Sequence, residues 1–588
     1  MSVYIANMSD KDESNITREK VMTEDDVFWK RMKNMYFDQI PYTVNNEKNK
    51  RLTPKICKSV EWLRENVPAL KNIISFETKN LGDDVEGREF LTNGGGAASV
   101  ETSRLIFKYK DPDASDNGPT SVIFKYTSLG KLADEFNVGW ITRNILYRPI
   151  LNIVLNRLNY WKKYDFMNKS DFYSICRKMW VSSFMFSYSE ALFYSNKIGF
   201  EEHHQFTPKS YYSACYCEKR GMLQSDGKFN VFNNYYSNGL PDIVTLVIME
   251  DVEGFTSAPG PTGVKFGIHY NVYEACAKTL ARFHAVAWGK ATEAAANMSC
   301  YPGSICMYLF QGVFLPNGIG NFIRCDIDEI AKLCAEDDNM LPIMQNNEVK
   351  TVLKHLQKVF SSKNNAILRF QWKLRLGQIQ PDTIIHGDPH LWNFLWKRKD
   401  NVSGNIEIDE VKMIDFQLLS VGLGGWDLAY MTEIDFKTFD SYEKRLQLLK
   451  VYHETLETEL VKYGNEKNDG LTSKERYEKI EKDFTFSWIV FQLFFAPSLA
   501  FLGSYKKERK KTLKRAKLKK GNWIQYLQKE NAEKIARFQN GDKKVFKDNN
   551  KYAEALYVSD GNLQITVTNG LKQFVEIWNM HPEYFGDE

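Results

Sequence analysis

The chain has 588 residues and a formal net charge of +4, and 43% of its residues are apolar. This length predicts several structural units, and the apolar fraction is enough for a sizeable core, which excludes a disordered protein. The tract 506–520 carries ten basic residues and one acidic residue, a net charge of +9. The rest of the chain therefore carries −5, the difference between +4 and +9, and a slightly acidic body argues against a nucleic-acid-binding protein.

The N-terminal part of the chain predicts a helix followed by a β-hairpin. Residues 1–54 are polar and charged and form a predicted N-terminal extension. Residues 55–75 carry apolar side chains at helical spacing until Pro68 interrupts the pattern. Residues 103–110 and 121–127 have the composition of strands, and the turn-rich segment between them predicts that the two strands pair.

The following segments predict more strands and then a long helical region. Residues 131–200 are predicted to be mainly helical, and 207–217 and 242–251 are predicted strands. The amphipathic segment 271–290 begins a pattern that stays mostly helical to about residue 505. A strand-rich first half and a helical second half indicate an α+β fold.

One apolar segment and the cysteines bear on the location of the protein. Nine cysteines are too few for a disulfide framework, so we expect reduced thiols and a cytoplasmic protein. Residues 484–505 contain no charged side chain and are about as long as a membrane-spanning helix. Because Pro497 and several polar residues interrupt the segment, we expect a buried helix. Peripheral membrane contact through 484–520 is the alternative, since the basic tract follows directly.

The strongest chemical signal is a pair of motifs in the second half of the chain. The stretch HGDPHLWN places Asn393 five residues after Asp388, and Asp415 ends a second apolar stretch 22 residues beyond Asn393. Phosphoryl transfer to a hydroxyl needs a carboxylate that orients and deprotonates the hydroxyl, and an amide and a carboxylate that hold a metal ion. Each motif alone is weak, but the two together, in this order and at this separation, indicate a phosphotransferase.

These motifs resemble those of the choline/ecdysteroid kinase-like family, which is related to the aminoglycoside phosphotransferases. HGDPHLWNFLW at 386–396 and MIDFQ at 413–417 are similar to the family's two catalytic loops. LARFHAVAW at 280–288 and GWDLAY at 425–430 resemble two of its helices. The resemblance covers roughly residues 85–505.

The resemblance implies a two-lobed, protein-kinase-like fold. The N-terminal lobe, with a small antiparallel sheet and a helical insertion, would span 55–252 and bind the nucleotide. The large helical C-terminal lobe, with the catalytic loops, would span 253–505. Residues 506–588 would form a basic, helical C-terminal extension.

The resemblance also implies an ATP-dependent kinase that uses Mg²⁺ and phosphorylates a hydroxyl of a small molecule. Asp388 would be the catalytic base, and His386 a further catalytic residue of the same loop. His386 and Asp427 would brace the loop. Asn393 and Asp415 would be the magnesium ligands. Choline-like, steroid and aminoglycoside-like acceptors all remain open.

A lysine and a glutamate are expected on the nucleotide side of the site. Lys125, on the second hairpin strand, can reach the α- and β-phosphates while its stem stays packed. Lys108 and Lys110 on the preceding strand are the alternatives. Glu190 resembles the acid of the family's Glu-x-x-Phe-Tyr pattern and is the predicted partner of Lys125. Glu135 is the alternative, because 65 residues separate Lys125 from Glu190.

Two further segments are expected to contact the nucleotide through their backbone. A glycine-rich loop before the hairpin can bring its amide groups close to phosphate oxygens. A strand that ends in a Glu-Asp pair is expected to contact adenine at the link between the lobes. The residues concerned are Gly94, Gly95 and Gly96 in the loop, and Met249, Glu250, Asp251 and Val252 at the strand end.

The other histidines are given non-catalytic interpretations. His284 is expected to be buried and hydrogen-bonded, His390 to position the catalytic loop, and His203 and His204 to lie on the surface. The alternative function is a non-catalytic nucleotide-binding or interaction protein with a kinase-like fold, associated with a membrane if 484–520 acts as an anchor. A protein kinase ranks low, because Phe-Gln and not Phe-Gly follows Asp415.

Overall fold

The structure of the chain is a computed structural model. It describes residues 53–80, 100–111, 118–128, 186–196, 199–217, 243–258, 267–291, 335, 338, 340–361, 366–367, 369–370, 379–399, 407–492, 514, 523–540, 542, 544–546, 555–556 and 558–586. The predicted glycine-rich loop and Glu135 lie outside these residues, as does almost all of the predicted N-terminal extension.

A five-stranded antiparallel sheet lies in the N-terminal part of the described chain. Its strands are β1 (Ile73–Asn80), β2 (Val100–Tyr109), β3 (Ser121–Ser128), β4 (Ser210–Cys217) and β5 (Ile243–Glu250). Their spatial order is β1-β2-β3-β5-β4, so β2 and β3 form the predicted hairpin and β5 pairs with β3. The register places Lys125 at the middle of the sheet, between Thr102 on β2 and Val247 on β5.

The two faces of this sheet pack against different parts of the protein, because side chains alternate along a strand. On β3, Val122 and Phe124 are buried in a cluster that includes Cys57 and Leu63 from two short helices, α1 (Pro54–Cys57) and α2 (Val60–Asn66). Ile123 packs against the main core on the opposite face. Lys125 has the same parity as Ile123, so its side chain points toward the main core.

The rest of the described chain is mainly helical, with short antiparallel strands. The longer elements are helices α3 (Phe186–Tyr194), α4 (Tyr270–Ala287), α5 (Leu341–Gln345), α6 (Asn347–Ser361), α7 (Gly424–Met431), α8 (Tyr442–Tyr463), α9 (Ser473–Val490), α10 (Trp523–Gln539) and α11 (Asn562–Met580). The short strands are β6 (Phe255–Thr256), β7 (Thr383–Ile385), β8 (Phe394–Arg398), β9 (Ile408–Met413) and β10 (Ser420–Gly422), paired as β6-β8-β9 and β10-β7. An N-terminal antiparallel sheet and a helical C-terminal region confirm the predicted α+β class.

One large apolar core joins the helices of the C-terminal region. Helix α4 packs along α8, and α7 packs against α9. The second contact depends on Gly425, because a Cβ atom there would lie 2.7 Å from the backbone nitrogen of Phe484. The close approach fixes α7, which carries two residues of the site described below.

The apolar segment 484–505 begins inside α9, and its described part, 484–492, is buried. Trp488, Ile489 and Phe491 are fully buried in the main core. This part of the segment is therefore the buried helix that the sequence predicted, and 493–505 lies outside the described residues. Among the helices that the structure describes, none is both long and apolar enough to span a bilayer.

Helix α11 belongs to the same core, although its residues were assigned to a C-terminal extension. The rings of Phe574 and Trp488 lie 5.3 Å apart. The buried guanidinium of Arg445 donates a hydrogen bond from Nε to Gln573 Oε1 at 2.7 Å. The described part of 506–588 is helical, as predicted, but α11 packs into the main helical region.

His203 is buried, and its predicted surface position was wrong. The 3₁₀ helix Glu201–Phe206 turns the ring inward to a centroid distance of 4.5 Å from Phe283 on α4. The backbone nitrogen of Phe200 donates to His203 Nδ1 at 3.1 Å. Burial lowers the pKa of His203 to about 3. His204 is half-buried.

Mild acid should destabilise the protein through His203. The unfolded chain has an ordinary histidine pKa of 6.5, and the folded pKa is lower. Above pH 6.5 the ring is neutral in both states, so the full stability is present. Below that pH only the unfolded state takes up the proton, and the free energy of unfolding falls by up to about 1.4 kcal/mol per pH unit.

Urea denaturation at pH 7 and pH 5 measures this dependence. The His203→Gln variant should lose less stability than the wild type between these two values. His581→Gln, at a partly exposed position, is the matched control and should behave as the wild type. The same pH dependence in the wild type and in His203→Gln would contradict the prediction.

Candidate active site

Three charged side chains from distant parts of the sequence meet between the sheet and the helical region. Lys125 Nζ lies 2.5 Å from Asp415 Oδ1 and 2.8 Å from Glu190 Oε2. Lys125 is on β3, Glu190 is on α3, and Asp415 follows β9. The structure thus makes Glu190 the partner of Lys125. The alternative lysines, Lys108 and Lys110, are exposed on β2 and at its end.

The ammonium of Lys125 is shared by two carboxylates. Burial disfavours the charged lysine, but the charges of Asp415 and Glu190 outweigh burial and raise the pKa of Lys125. Burial also raises the pKa of Glu190 to about 7, against the opposite effect of Lys125. Two carboxylates around one ammonium leave an excess of negative charge. The side chain of Asp415 is 27% exposed and that of Glu190 only 3%, so a further cation would be stabilised beside Asp415.

A left-handed backbone conformation aims the carboxylate of Asp415 at Lys125. Its φ of 67° lies in a region that aspartate tolerates better than most residues. The next residue, Phe416, is buried against Phe193 of α3, with ring centroids 4.3 Å apart. Gln417 Nε2 donates to the second carboxylate oxygen of Asp415 at 3.2 Å. The side chain is therefore held on both sides.

His386 connects the two catalytic loops from a fully buried position. Its Nε2 donates to the carbonyl oxygen of Ile414 at 2.9 Å, so its Nδ1 is the acceptor for the backbone N–H of Asp388 at 3.3 Å. These contacts of a fully buried side chain are those of a residue that braces the loop, and the catalytic assignment of His386 stays a prediction. Gly387 has a φ of +81°, and a Cβ atom there would lie 2.1 Å from the carbonyl oxygen of Leu418.

Asn393 is buried and bonded to both loops. Its Nδ2 donates to the carbonyl oxygen of Asp388 at 2.8 Å, and its own carbonyl accepts from the backbone nitrogen of Ile414 at 2.9 Å. Using the amide nitrogen in this way leaves the amide oxygen, the ligand type that Mg²⁺ prefers, on the other side of the group.

The oxygen donors near Asp415 suit Mg²⁺, which takes only part of its ligands from the protein, better than a metal ion whose ligands all come from the protein. In the described ranges, no three side chains of histidine, cysteine, aspartate or glutamate cluster as a metal site would need. Mg²⁺ is usually bound by one or two carboxylates, with water and phosphate oxygens completing the shell. Asp415 and Asn393 supply donors of that kind, and the excess negative charge around Lys125 favours a cation at this place.

Asp388 lies in the half-buried catalytic loop, next to His390 and Tyr430. His390 Nε2 is 2.9 Å from Asp388 Oδ1 and 2.5 Å from the hydroxyl oxygen of Tyr430. Burial acts to raise the pKa of Asp388, but His390, His386 and the Tyr430 hydroxyl outweigh it and lower the pKa. Asp388 is therefore ionised at neutral pH. The sequence had identified Tyr430 only as part of a family-like helix.

Asp427 on α7 supports the backbone of the catalytic loop. Its carboxylate accepts hydrogen bonds from the backbone nitrogens of His386 at 2.7 Å and Gly387 at 3.1 Å. His284 Nε2 lies 3.3 Å from the same carboxylate, and His284 Nδ1 lies 2.7 Å from the Tyr452 hydroxyl. The bracing contact expected of Asp427 and the buried, hydrogen-bonded state expected of His284 are both present.

A comparison of the sequence with protein-family models finds one match. Residues 208–465 match the model of the ecdysteroid kinase-like family. This ecdysteroid kinase-like segment of the chain is similar to that family. The match confirms the family expected from the motifs, and it includes both catalytic loops, α4 and α7. It covers less than half of the chain, and Lys125 and Glu190 precede it. No curated protein matches the chain.

Near its start, the ecdysteroid kinase-like segment contains the strand end that was predicted to contact adenine. Met249 is buried, and the carboxylate of Glu250 accepts from the backbone nitrogen of Lys209 at 3.1 Å. The carboxylate of Asp251 pairs with Arg104 Nε at 2.7 Å and accepts from the hydroxyl of Ser121 at 2.7 Å. These side chains hold the strands together.

The predicted contact with adenine involves the backbone of residues 249–252 and not these side chains. This contact stays a prediction, and so does the contact of the three glycines, which lie outside the described residues, with the phosphates.

Proposed function

We propose that the protein is an ATP-dependent kinase that moves the γ-phosphoryl group of Mg-ATP to a hydroxyl of a small molecule. The observation that carries this proposal is that Glu190 and Asp415 each lie within 3 Å of Lys125 Nζ, beside the loop of Asp388 and Asn393. The three charged residues are separated by 65 and 290 positions along the chain. The ecdysteroid kinase-like segment supports a small molecule as the acceptor.

In this proposal the sheet and the helical region are two lobes with the nucleotide between them. Lys125 binds the α- and β-phosphates, and Glu190 keeps the ammonium in place. The backbone of residues 249–252 contacts adenine, and the amides of Gly94, Gly95 and Gly96 lie near the phosphates. The orientation of Lys125 supports this arrangement, because its side chain leaves β3 on the side of the main core and reaches Asp415.

The chemistry that we propose for Asp388 is to orient the acceptor hydroxyl and to take its proton. The hydroxyl oxygen forms a bond to the γ-phosphorus, the bond from that phosphorus to the bridging oxygen breaks, and ADP leaves with the electron pair. Asn393 and Asp415 would hold Mg²⁺, which neutralises charge on the phosphates. The lowered pKa of Asp388 keeps the carboxylate ionised and ready to accept a hydrogen bond.

An ATP-consumption screen over hydroxylated metabolites tests the proposal. Choline-like, steroid and aminoglycoside-like acceptors are included, with Asp388→Asn as the blank. A phosphorylated product that appears only with the wild-type protein supports the kinase. Nucleotide binding without a phosphorylated product from any acceptor would favour the non-catalytic nucleotide-binding protein instead.

We also propose that the protein acts in the cytoplasm, with the small acceptor as its partner and no nucleic acid. Contact with a membrane through 484–520 is the alternative, and flotation with liposomes tests it. The burial of 484–492 in the main core supports the first proposal for that part of the segment.

The substitution Glu190→Gln should weaken binding of Mg-ATP. The neutral amide removes one of the two charged partners of Lys125, and a charge-assisted hydrogen bond contributes about 1.5–3 kcal/mol. We expect the dissociation constant to rise by roughly tenfold, or about 1.4 kcal/mol. Isothermal titration calorimetry with Mg-ATP measures the change.

The matched control for Glu190→Gln is Glu274→Gln on α4, which breaks only a partly exposed pair with Lys278. That control should bind Mg-ATP as the wild type does. If the two variants bound Mg-ATP equally well, the role of Glu190 would be contradicted.

A further inference from the structure

Two polar side chains that take no direct part in the proposed reaction, His390 and Tyr430, lie beside the carboxylate of Asp388. We infer that Tyr430 and His390 form a two-donor clamp that fixes the carboxylate of Asp388 for the acceptor hydroxyl. The inference rests on the proposed kinase function and adds a positioning residue, Tyr430, from a helix outside both catalytic loops.

One ring nitrogen of His390 lies close to both of the other side chains. His390 Nε2 lies 2.9 Å from Asp388 Oδ1 and 2.5 Å from the Tyr430 hydroxyl oxygen. The Tyr430 hydroxyl is also close enough to the Asp388 carboxylate to lower its pKa. An ionised carboxylate can only accept hydrogen bonds, so the imidazole is the donor in its contact with Asp388, and the phenol can act toward the carboxylate only as a donor.

Burial keeps the phenol in its donor form. Tyr430 is 6% exposed, and burial together with the nearby charge of Asp388 raises its pKa well above the ordinary value. The hydroxyl therefore stays protonated at neutral pH, where Asp388 is ionised.

The aromatic surroundings hold both donors in place. The His390 ring lies between Trp392, at a centroid distance of 3.9 Å and an interplanar angle of 13°, and the Tyr430 ring at 4.3 Å. Tyr430 packs in turn against Phe491, which follows α9, at 4.8 Å. With both ring faces covered, His390 cannot turn its Nε2 away from Asp388 without disturbing this stack.

Helix α7 holds the catalytic loop at two points. Residues three apart lie on the same side of a helix, and Asp427 and Tyr430 are three apart. Asp427 accepts from the loop backbone at His386 and Gly387, and Tyr430 contacts His390, which in turn contacts the side chain of Asp388. The helix therefore sets both the path of the loop and the direction of the carboxylate.

A clamp on one side of the carboxylate leaves the remaining oxygen for the acceptor hydroxyl. Loss of the clamp would let the carboxylate rotate, and a small misplacement of a reacting group strongly reduces the rate of the chemical step. Nucleotide binding, which depends on Lys125, would not change. The expected signature is a lower kcat with an unchanged KM for ATP.

The test compares Tyr430→Phe with Tyr442→Phe, using ATP and the acceptor found in the screen. Tyr442 is a buried tyrosine of α8 whose hydroxyl bonds to Thr485, far from the loop in sequence. We expect Tyr430→Phe to lower kcat about tenfold, with the KM for ATP unchanged, and Tyr442→Phe to keep the wild-type kcat. Equal kcat values for the two variants would overturn the inference.

Two variants of His390 add a second readout. His390→Gln keeps an N–H donor that can reach Asp388, and His390→Ala keeps none. We expect His390→Gln to retain several times more activity than His390→Ala. Equal activities would show that His390 acts only through packing and would overturn its part in the clamp.

Thermal unfolding separates failure of the clamp from failure of the kinase proposal, because it needs no substrate. If the wild type shows no turnover that depends on Asp388, the kinase proposal fails. The clamp is still tested by Tm values of Tyr430→Phe, Asp388→Ala and the double variant. We expect Tyr430→Phe to lower the Tm less when Asp388 is already absent. Additive Tm losses would overturn the clamp.

Discussion

Asp388→Asn should lower the rate of acceptor phosphorylation by about 10²- to 10⁴-fold, while Mg-ATP still binds. The amide has the shape of the carboxylate but cannot take up the proton of the acceptor hydroxyl. It also turns one acceptor oxygen into a donor, which repels the donors His390 and Tyr430. Because Lys125 and Glu190 are unaffected, the loss should fall on kcat and leave nucleotide affinity nearly unchanged.

Product formation by mass spectrometry and Mg-ATP binding by calorimetry separate the two effects. Asp409→Asn is the matched control, since Asp409 is exposed on β9 and outside the site. That variant should phosphorylate the acceptor at the wild-type rate. A fully active Asp388→Asn protein would remove Asp388 from the mechanism and with it the central assignment.

Asp427→Ala should lower the free energy of unfolding by about 3–5 kcal/mol, the loss typical of breaking a buried charged interaction from one side. The substitution leaves the backbone nitrogens of His386 and Gly387 and the ring of His284 without their buried acceptor. An unsatisfied buried donor costs about 1–3 kcal/mol. Activity should be lost as well, because the same bonds position the loop of Asp388.

Urea denaturation of a graded pair of variants measures this effect. Asp427→Asn keeps one acceptor oxygen and should lose less stability than Asp427→Ala. Asp409→Ala, which removes an exposed carboxylate from β9, should change stability by less than about 0.5 kcal/mol. A loss in Asp427→Ala no larger than in Asp409→Ala would contradict the bracing role.

The local structures that the sequence predicted correctly are those with short, ordered motifs. The hairpin β2–β3, the loop of Asp388 and the strand before Asp415 each have a local pattern that depends on neighbouring residues. The contact of Lys125 with Glu190 needed the family resemblance in addition, because 65 residues separate the two and no local pattern joins them.

The residues that the sequence missed are positioned by tertiary packing. His203 sits in the polar stretch EEHHQF, which is typical of a surface, but a 3₁₀ helix against α4 turns its ring inward. Tyr430 resembles any apolar helix residue until α7 brings it to His390.

The motifs also did not indicate how far along the chain the packed core extends. Helix α11 carries no chemical pattern, and its apolar residues gave no indication of which surface they would cover. In the structure they meet α8 and α9, where Gln573 accepts from the buried Arg445.

The position of α11 has a practical consequence for anyone who expresses this protein in pieces. A recombinant fragment ending at residue 465, the limit of the family match, would lack α9 and α11. Trp426 and Tyr430 would lose their contacts with Phe491, and the buried charge of Arg445 would lose its glutamine partner. Soluble expression therefore requires boundaries chosen from the packed core, and not from the region by which the family is recognised.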